Sequence, residues 1–124
     1  MAMTTRIVNV SVPVRDQDEA TRFYVDVLGF EVRHDVEVWP GARFVEVVPP
    51  GSDVGLVLLS PDSEIPMAVR LGTDSADSAY EKLRAVGATL PDDAVLHLAG
   101  QPPMFRFEDP DGNGLVYLEE NSGA

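Results

Sequence analysis

A half-length repeat constrains this chain more than any other feature. Asn9 opens a strand-like run, Asp16 offers a helix cap and Gly29 closes the helical pattern. Met67, Asp74 and Gly87 restate those three features, each 58 residues further on. Two similar modules in one short chain are expected to enclose a shared surface, and function is expected on that surface.

Each module reads as strand, helix and further strands. Residues 7–14 alternate, with Val8, Val10, Val12 and Val14 on one side and Asn9, Ser11 and Pro13 on the other, as in a half-buried strand. Asp16 or Asp18 then caps a helix striped by Ala20, Phe23, Tyr24, Val27 and Leu28, and Gly29 suits its left-handed end. Residues 30–38 form a charged, exposed strand, and 44–48 and 54–59 flank the turn-forming 49–53. After a joint at 60–66, residues 67–71 form a strand and Asp74 or Ser75 caps a helix striped by Ala76, Ala79, Tyr80 and Leu83, with Gly87 ending it. A strand is expected from Ala88 to Leu90, a short one around 95–98, and a final hairpin of 104–108 and 115–119 around Asp109 to Gly114. The fold class is therefore α+β: two tandem βαβββ modules, at approximately 5–60 and 66–120, forming curved mixed sheets around a cavity. One helix covers each convex face, and residues 1–124 make one domain.

Composition narrows the function classes. At 124 residues the chain has room for one core. It has no cysteine, which removes disulfides, thiolate metal sites and cysteine nucleophiles. The formal net charge of −12 argues against nucleic acid and anionic membrane as partners. No run reaches the length of a membrane span and no signal-peptide core is present, so a cytoplasmic location is expected.

These elements resemble the vicinal oxygen chelate superfamily, which includes glyoxalase I, the bleomycin-resistance proteins and extradiol dioxygenases. The residues that carry the resemblance are 10–16 (VSVPVRD), Phe23-Tyr24 and 27–32 (VLGFEV). In the second half they are Asp74, Ala79-Tyr80, Leu83, Gly87 and 109–113 (DPDGN). The resemblance implies metal ligands, usually His or Glu, on the first and last strand of each module. Counting back seven residues from Asp16 and Asp74 gives Asn9 and Met67, and the last-strand equivalents are Val57 and Val116. An amide, a thioether and two isopropyl groups do not make a shell for a hard or borderline divalent cation. His34, on the second strand, and His97, in the irregular stretch before Met104, do not complete a two-His-one-carboxylate site. No metal and no other cofactor is expected, and the bleomycin-resistance type becomes the nearest analogue.

Candidate ligand-binding residues follow from strand parity. Asn9 and Ser11 face the cavity in the first module, and Met67, Val69 and Leu71 face it in the second or serve as core. On that register Arg70 faces the helix side, paired with an acid at the edge, unless a bulge turns it inward as an anion anchor. Trp39 is an anchor or a stacking platform, and Phe44 borders the cavity. Phe105, Phe107 and Tyr117 come from the last hairpin, where parity leaves open whether Phe105 and Phe107 or Met104 and Arg106 face inward. Glu46 either faces solvent or lies in the cavity, where desolvation would raise its pKa toward a general base. Asp62, Asp92 and Asp93 read as loop surface.

The resulting expectation is a metal-independent, cytoplasmic protein that binds a small molecule, as a homodimer, and sequesters a drug or metabolite. The alternative is an enzyme of the same fold. It would be a glyoxalase-like lyase, or an isomerase or hydrolase using Glu46 or His97 as base. Dioxygenase chemistry is disfavoured, and an interaction module without ligand is the weakest of the readings.

Overall fold

The computed structural model describes residues 6–120. Strand β1 (Arg6–Pro13) leads to α1 (Gln17–Arg22), which runs on as a π-helical turn (Phe23–Val27), and then to β2 (Glu31–Trp39), β3 (Ala42–Val48) and β4 (Gly55–Leu59). Strand β5 (Val69–Thr73), helix α2 (Ala76–Ala85), β6 (Met104–Glu108) and β7 (Gly114–Glu119) follow. The chain is an α+β protein with mixed sheets, and it forms two compact units. One is Asn9–Met67; the other comprises residues 68–120 together with 6–8.

Within the first unit the strand order is β2-β3-β4-β1, with β1 and β4 parallel and the other pairs antiparallel. In the second unit β5 lies parallel to β7, which pairs antiparallel with β6. In both, then, the first strand runs parallel to the last. The second unit is the leaner copy. Where strands were expected at 88–90 and 95–98, only single bridges form, Thr89 to Glu108 and Leu96 to Met104.

The helix ends repeat as the sequence implies, with one shift. Gly29 and Gly87 have φ of 79° and 77°, the left-handed conformation that a glycine adopts without penalty. Asp16 is the first cap, its Oδ1 accepting from the Glu19 N–H at 3.0 Å. The second cap is Ser75 rather than Asp74, its Oγ accepting from the Ser78 N–H at 3.2 Å. The π-helical turn explains the discrepancy. A π turn inserts one residue into an α-helix, so Gly29 follows its cap by 13 positions and Gly87 by 12. The glycines therefore repeat at 58, whereas everything from the first strand to the cap repeats at 59.

That shift reverses the expected faces of β5. Val12 corresponds to Leu71 and Ser11 to Arg70. Leu71 packs against the buried cluster of Ala76, Ala79 and Tyr80 of α2 with Phe105 and Tyr117 of the final hairpin. Val69 shares that side by strand alternation. Arg70, expected on the helix side, is buried on the opposite face, where its Cα pairs with Val116. Met67 lies outside the strand and is exposed.

The first unit buries an apolar cluster on each face of its sheet. Val45, Val47 and Leu58 lie under the helix with Val12, Val14, Ala20 and Tyr24. Ala42, Val57, Leu59 and Ile65 pack on the other face with Val38 and Phe44. Each such fully buried aliphatic side chain stabilises by about 1.5–3 kcal/mol relative to exposure. The helix-free face of this unit thus has a hydrophobic end, and its polar end begins two residues along β3.

Candidate functional site

Strand alternation places Glu46 on the face that carries Phe44, away from the helix that covers Val45 and Val47. It is 2 % exposed. A carboxylate so far from water needs donors for both oxygens, and the neighbouring strands provide three. Asn9 Nδ2 on β1 donates to Glu46 Oε2 at 3.1 Å. The Arg33 guanidinium on β2 forms an ion pair with the same oxygen. His34 Nδ1, also on β2, lies 2.7 Å from Oε1.

Two successive residues of a regular strand point to opposite faces and would not meet on one carboxylate. A β-bulge permits it here. Val32 pairs with Val47 and His34 with Glu46, so β2 spends two steps where β3 spends one, and Arg33 is the inserted residue. Gly55, opposite Asn9 on β4, leaves the room. A Cβ there would stand 2.8 Å from Glu46 Oε2, closer than side-chain carbons come, and 3.0 Å from Arg33 Nη2, a tight contact.

Burial pushes the Glu46 carboxyl up, but Arg33, His34 and Asn9 together outweigh it and hold the group below the ordinary glutamate range. This reverses the expectation of a desolvated general base. Glu46 is an anion held in place by three neighbours, two on Oε2 and one on Oε1.

Of the residues proposed from sequence, Asn9 and Glu46 are in direct contact. Ser11 shares their face and is half-buried, and Phe44 meets the His34 ring edge-on at a centroid distance of 6.4 Å. Trp39 stands at the end of β2, its Nε1 donating to Glu64 Oε1 at 3.0 Å. Val69, Phe105 and Tyr117 belong to the other unit. Phe105 and Tyr117 are buried in the core beneath α2, Phe105 completely, so the open question of inward-facing pairs resolves toward the aromatic residues as core. Arg33, His34 and Gly55 were not singled out as site residues. A one-residue bulge leaves no mark in a charged strand, because it is a property of two paired strands.

The metal-ligand positions are equally plain. Val57 is fully buried in the first unit's apolar cluster, and Val116, on β7 of the other unit, is buried as well. With the cap at Ser75, the counterpart of Asn9 is Ala68, which replaces Met67 and offers no donor. The Asn9 amide nitrogen itself donates to Glu46. Among the described residues no group of three or more His, Cys, Asp or Glu is placed to hold a metal ion. The residues present do not fit the divalent cation of the superfamily's metal enzymes.

The second unit carries a charge-reversed version of the Glu46 pair. Arg106 stands opposite Val116 as Glu46 stands opposite Val57. Its guanidinium binds Asp92 through Nε at 3.0 Å and Nη2 at 2.6 Å. Asp92 is therefore not simple loop surface: its side chain is largely covered, and Arg106 holds its carboxyl below the usual aspartate range.

The topology and the retained strand–helix register define a protein of paired β-α-β modules, and the sequence comparison places it. Residues 6–117 match the family model described as the Glyoxalase/Bleomycin resistance protein/Dioxygenase superfamily, and the chain belongs to that superfamily. It is 25 % identical over 128 residues to the uncharacterized protein YetH of Bacillus subtilis, with 94 % of this chain and all of that protein covered. Methylmalonyl-CoA epimerase from Mycobacterium tuberculosis superposes with a TM-score of 0.81 at 20 % identity, over 96 % of this chain and 90 % of that one. The hypothetical protein BH1468 from Bacillus halodurans gives 0.77 at 16 % identity, over 96 % of each chain. At these identities the structural likeness is one of fold. Among the described residues no helix is long and apolar enough to cross a membrane.

Proposed function

We propose that the chain is a metal-independent small-molecule-binding protein of the glyoxalase/bleomycin-resistance type. It receives its ligand on the helix-free face of the Asn9–Met67 unit and sequesters a drug or metabolite, as a cytoplasmic homodimer. One observation carries this reading: a buried, anionic Glu46 is fixed by Arg33, His34 and Asn9 beside the half-buried Val38 and Phe44, which pack on a buried apolar cluster, on a face whose metal-ligand positions hold no ligands. An apolar surface with a few converging polar groups is the usual make-up of a small-molecule site. The acidic character of the chain is compatible with neutral or cationic compounds.

A thermal-shift screen of neutral and cationic aromatic drugs and metabolites, repeated with Ni²⁺, Zn²⁺, Mn²⁺ and Fe²⁺, tests the proposal. The expected outcome is stabilisation by at least one organic compound and by none of the four ions, with the organic effect reduced in Glu46→Gln. Stoichiometric metal binding at micromolar affinity or better would overturn it, and so would a screen in which no organic compound raises the melting temperature.

A further inference from the structure

We propose that His34 is a proton acceptor at this site, its Nε2 taking a proton from a weakly acidic O–H or N–H of the bound molecule while Glu46 acts as its positioning residue. The inference rests on the helix-free face being the receiving surface, but its test needs no knowledge of the ligand.

The hydrogen-bond inventory of Glu46 carries the argument. Arg33 and the Asn9 amide nitrogen are both obligate donors, and both meet Oε2. A carboxylate in an ion pair with arginine has no proton to give, so the 2.7 Å contact at Oε1 requires a proton on His34 Nδ1. In the neutral ring this leaves Nε2 as a bare lone pair. Nε2 has no hydrogen-bond partner among the described residues, and the side chain is 56 % exposed. Two contacts hold the ring: the carboxylate at Nδ1 and the edge-on packing with Phe44. A buried carboxylate thus selects one tautomer and one orientation and presents the other nitrogen outward. The same division of labour recurs wherever an acid steadies a histidine base. The other histidine, His97, has no such partner among the described residues and is exposed.

In the proposed step the ligand's X–H bond breaks and an N–H bond forms at Nε2. The bonding electron pair stays on X, and Nδ1–H remains on Glu46, which takes no proton. The imidazolium so formed lies against the Glu46 anion. Phe44, half-buried beside the ring, offers an apolar platform for the body of a small aromatic acid such as a phenol or imide.

The test begins with ¹⁵N-histidine NMR on the full chain at a pH where the ring is neutral. His34 is expected as the Nδ1–H tautomer, and Glu46→Gln is expected to shift it toward Nε2–H. Diethyl pyrocarbonate then transfers its ethoxycarbonyl group to a bare imidazole nitrogen, with ethyl carbonate leaving. His34 is expected to be labelled several-fold faster than His97, and Glu46→Gln to abolish that advantage. Finally, p-nitrophenol is expected to gain phenolate absorbance on binding to the native chain and not to His34→Gln. Any of three results overturns the proposal: a His34 Nε2–H tautomer in the native chain, labelling no faster than His97, or p-nitrophenol binding without ionisation. If Glu46→Gln fails to fold, the native tautomer alone decides. Failure here would remove the proton acceptor and leave the binding face standing, whereas failure of the ligand screen would remove the face itself.

Discussion

The two units hold an acid–arginine pair at equivalent places on their sheets, with the charges exchanged. Arg33 reaches Glu46 in one; Asp92 reaches Arg106 in the other. The surroundings differ more than the chemistry. The Glu46 side chain is 3 % exposed and is bound by three residues, whereas the Arg106 side chain is 45 % exposed and pairs across a loop. An ion pair of one type can therefore be a desolvated fixture or a surface tie. Burial decides which, because water screens the second pair more than the first, in which the Arg33 side chain is 29 % exposed and the Glu46 side chain 3 %.

Removing one partner of the buried pair should have the largest effect. Arg33→Ala leaves the Glu46 anion short of its main counter-charge, and a cost of about 3 kcal/mol is expected in urea unfolding at neutral pH. Glu46→Gln is expected to cost about 2 kcal/mol, because an amide cannot accept from all three donors. Its signature is the pH dependence. The folded Glu46 carboxyl titrates below its unfolded value, so its contribution is present above the unfolded pKa and fades as pH falls through the folded one. The gap between the native chain and Glu46→Gln should therefore narrow on acidification; a gap constant with pH would show that the stabilisation is not the anion's. Gly55→Ala should cost about 1–2 kcal/mol by pressing a methyl group against Oε2 and the Arg33 guanidinium, with the loss read as a lowered melting temperature. The smallest effect belongs to Arg106→Gln. A change below about 1 kcal/mol is expected for its exposed pair, and a loss as large as that of Arg33→Ala would erase the distinction between the units.

Much of this fold can be read from the residues. Alternation from Val8 to Val14, the glycine helix ends and the turn around Asp109 are local properties, and local sequence carries them. Asp109 illustrates the point: its Oδ1 accepts from the Asp111 and Asn113 N–H groups at 3.0 and 2.9 Å, all within five residues. Two features escaped. The π-helical turn at Phe23–Val27 looks like ordinary helical spacing, yet its extra residue moved the repeat by one and turned Arg70 and Leu71 to the wrong faces. The bulge at Arg33 is a property of two paired strands, so β2 alone does not encode it visibly. Glu46 was legible as a residue of interest, but its ionisation state was not, because that depends on the donors the bulge delivers.

The bulge has a consequence for how the protein lives at high concentration. Strand β2 is outermost in its unit, nine residues long and mostly exposed. A flat strand of that length would invite neighbouring molecules to add their own backbone to it. Register breaks at Arg33 and again near Val38 twist its free edge out of line, and Glu31, Asp35 and Glu37 add charge along it. The kink that brings Arg33 and His34 to one carboxylate is thus also a guard against fibrous stacking. Straightening β2 by deleting Arg33 would risk precipitation as well as the loss of an ion pair.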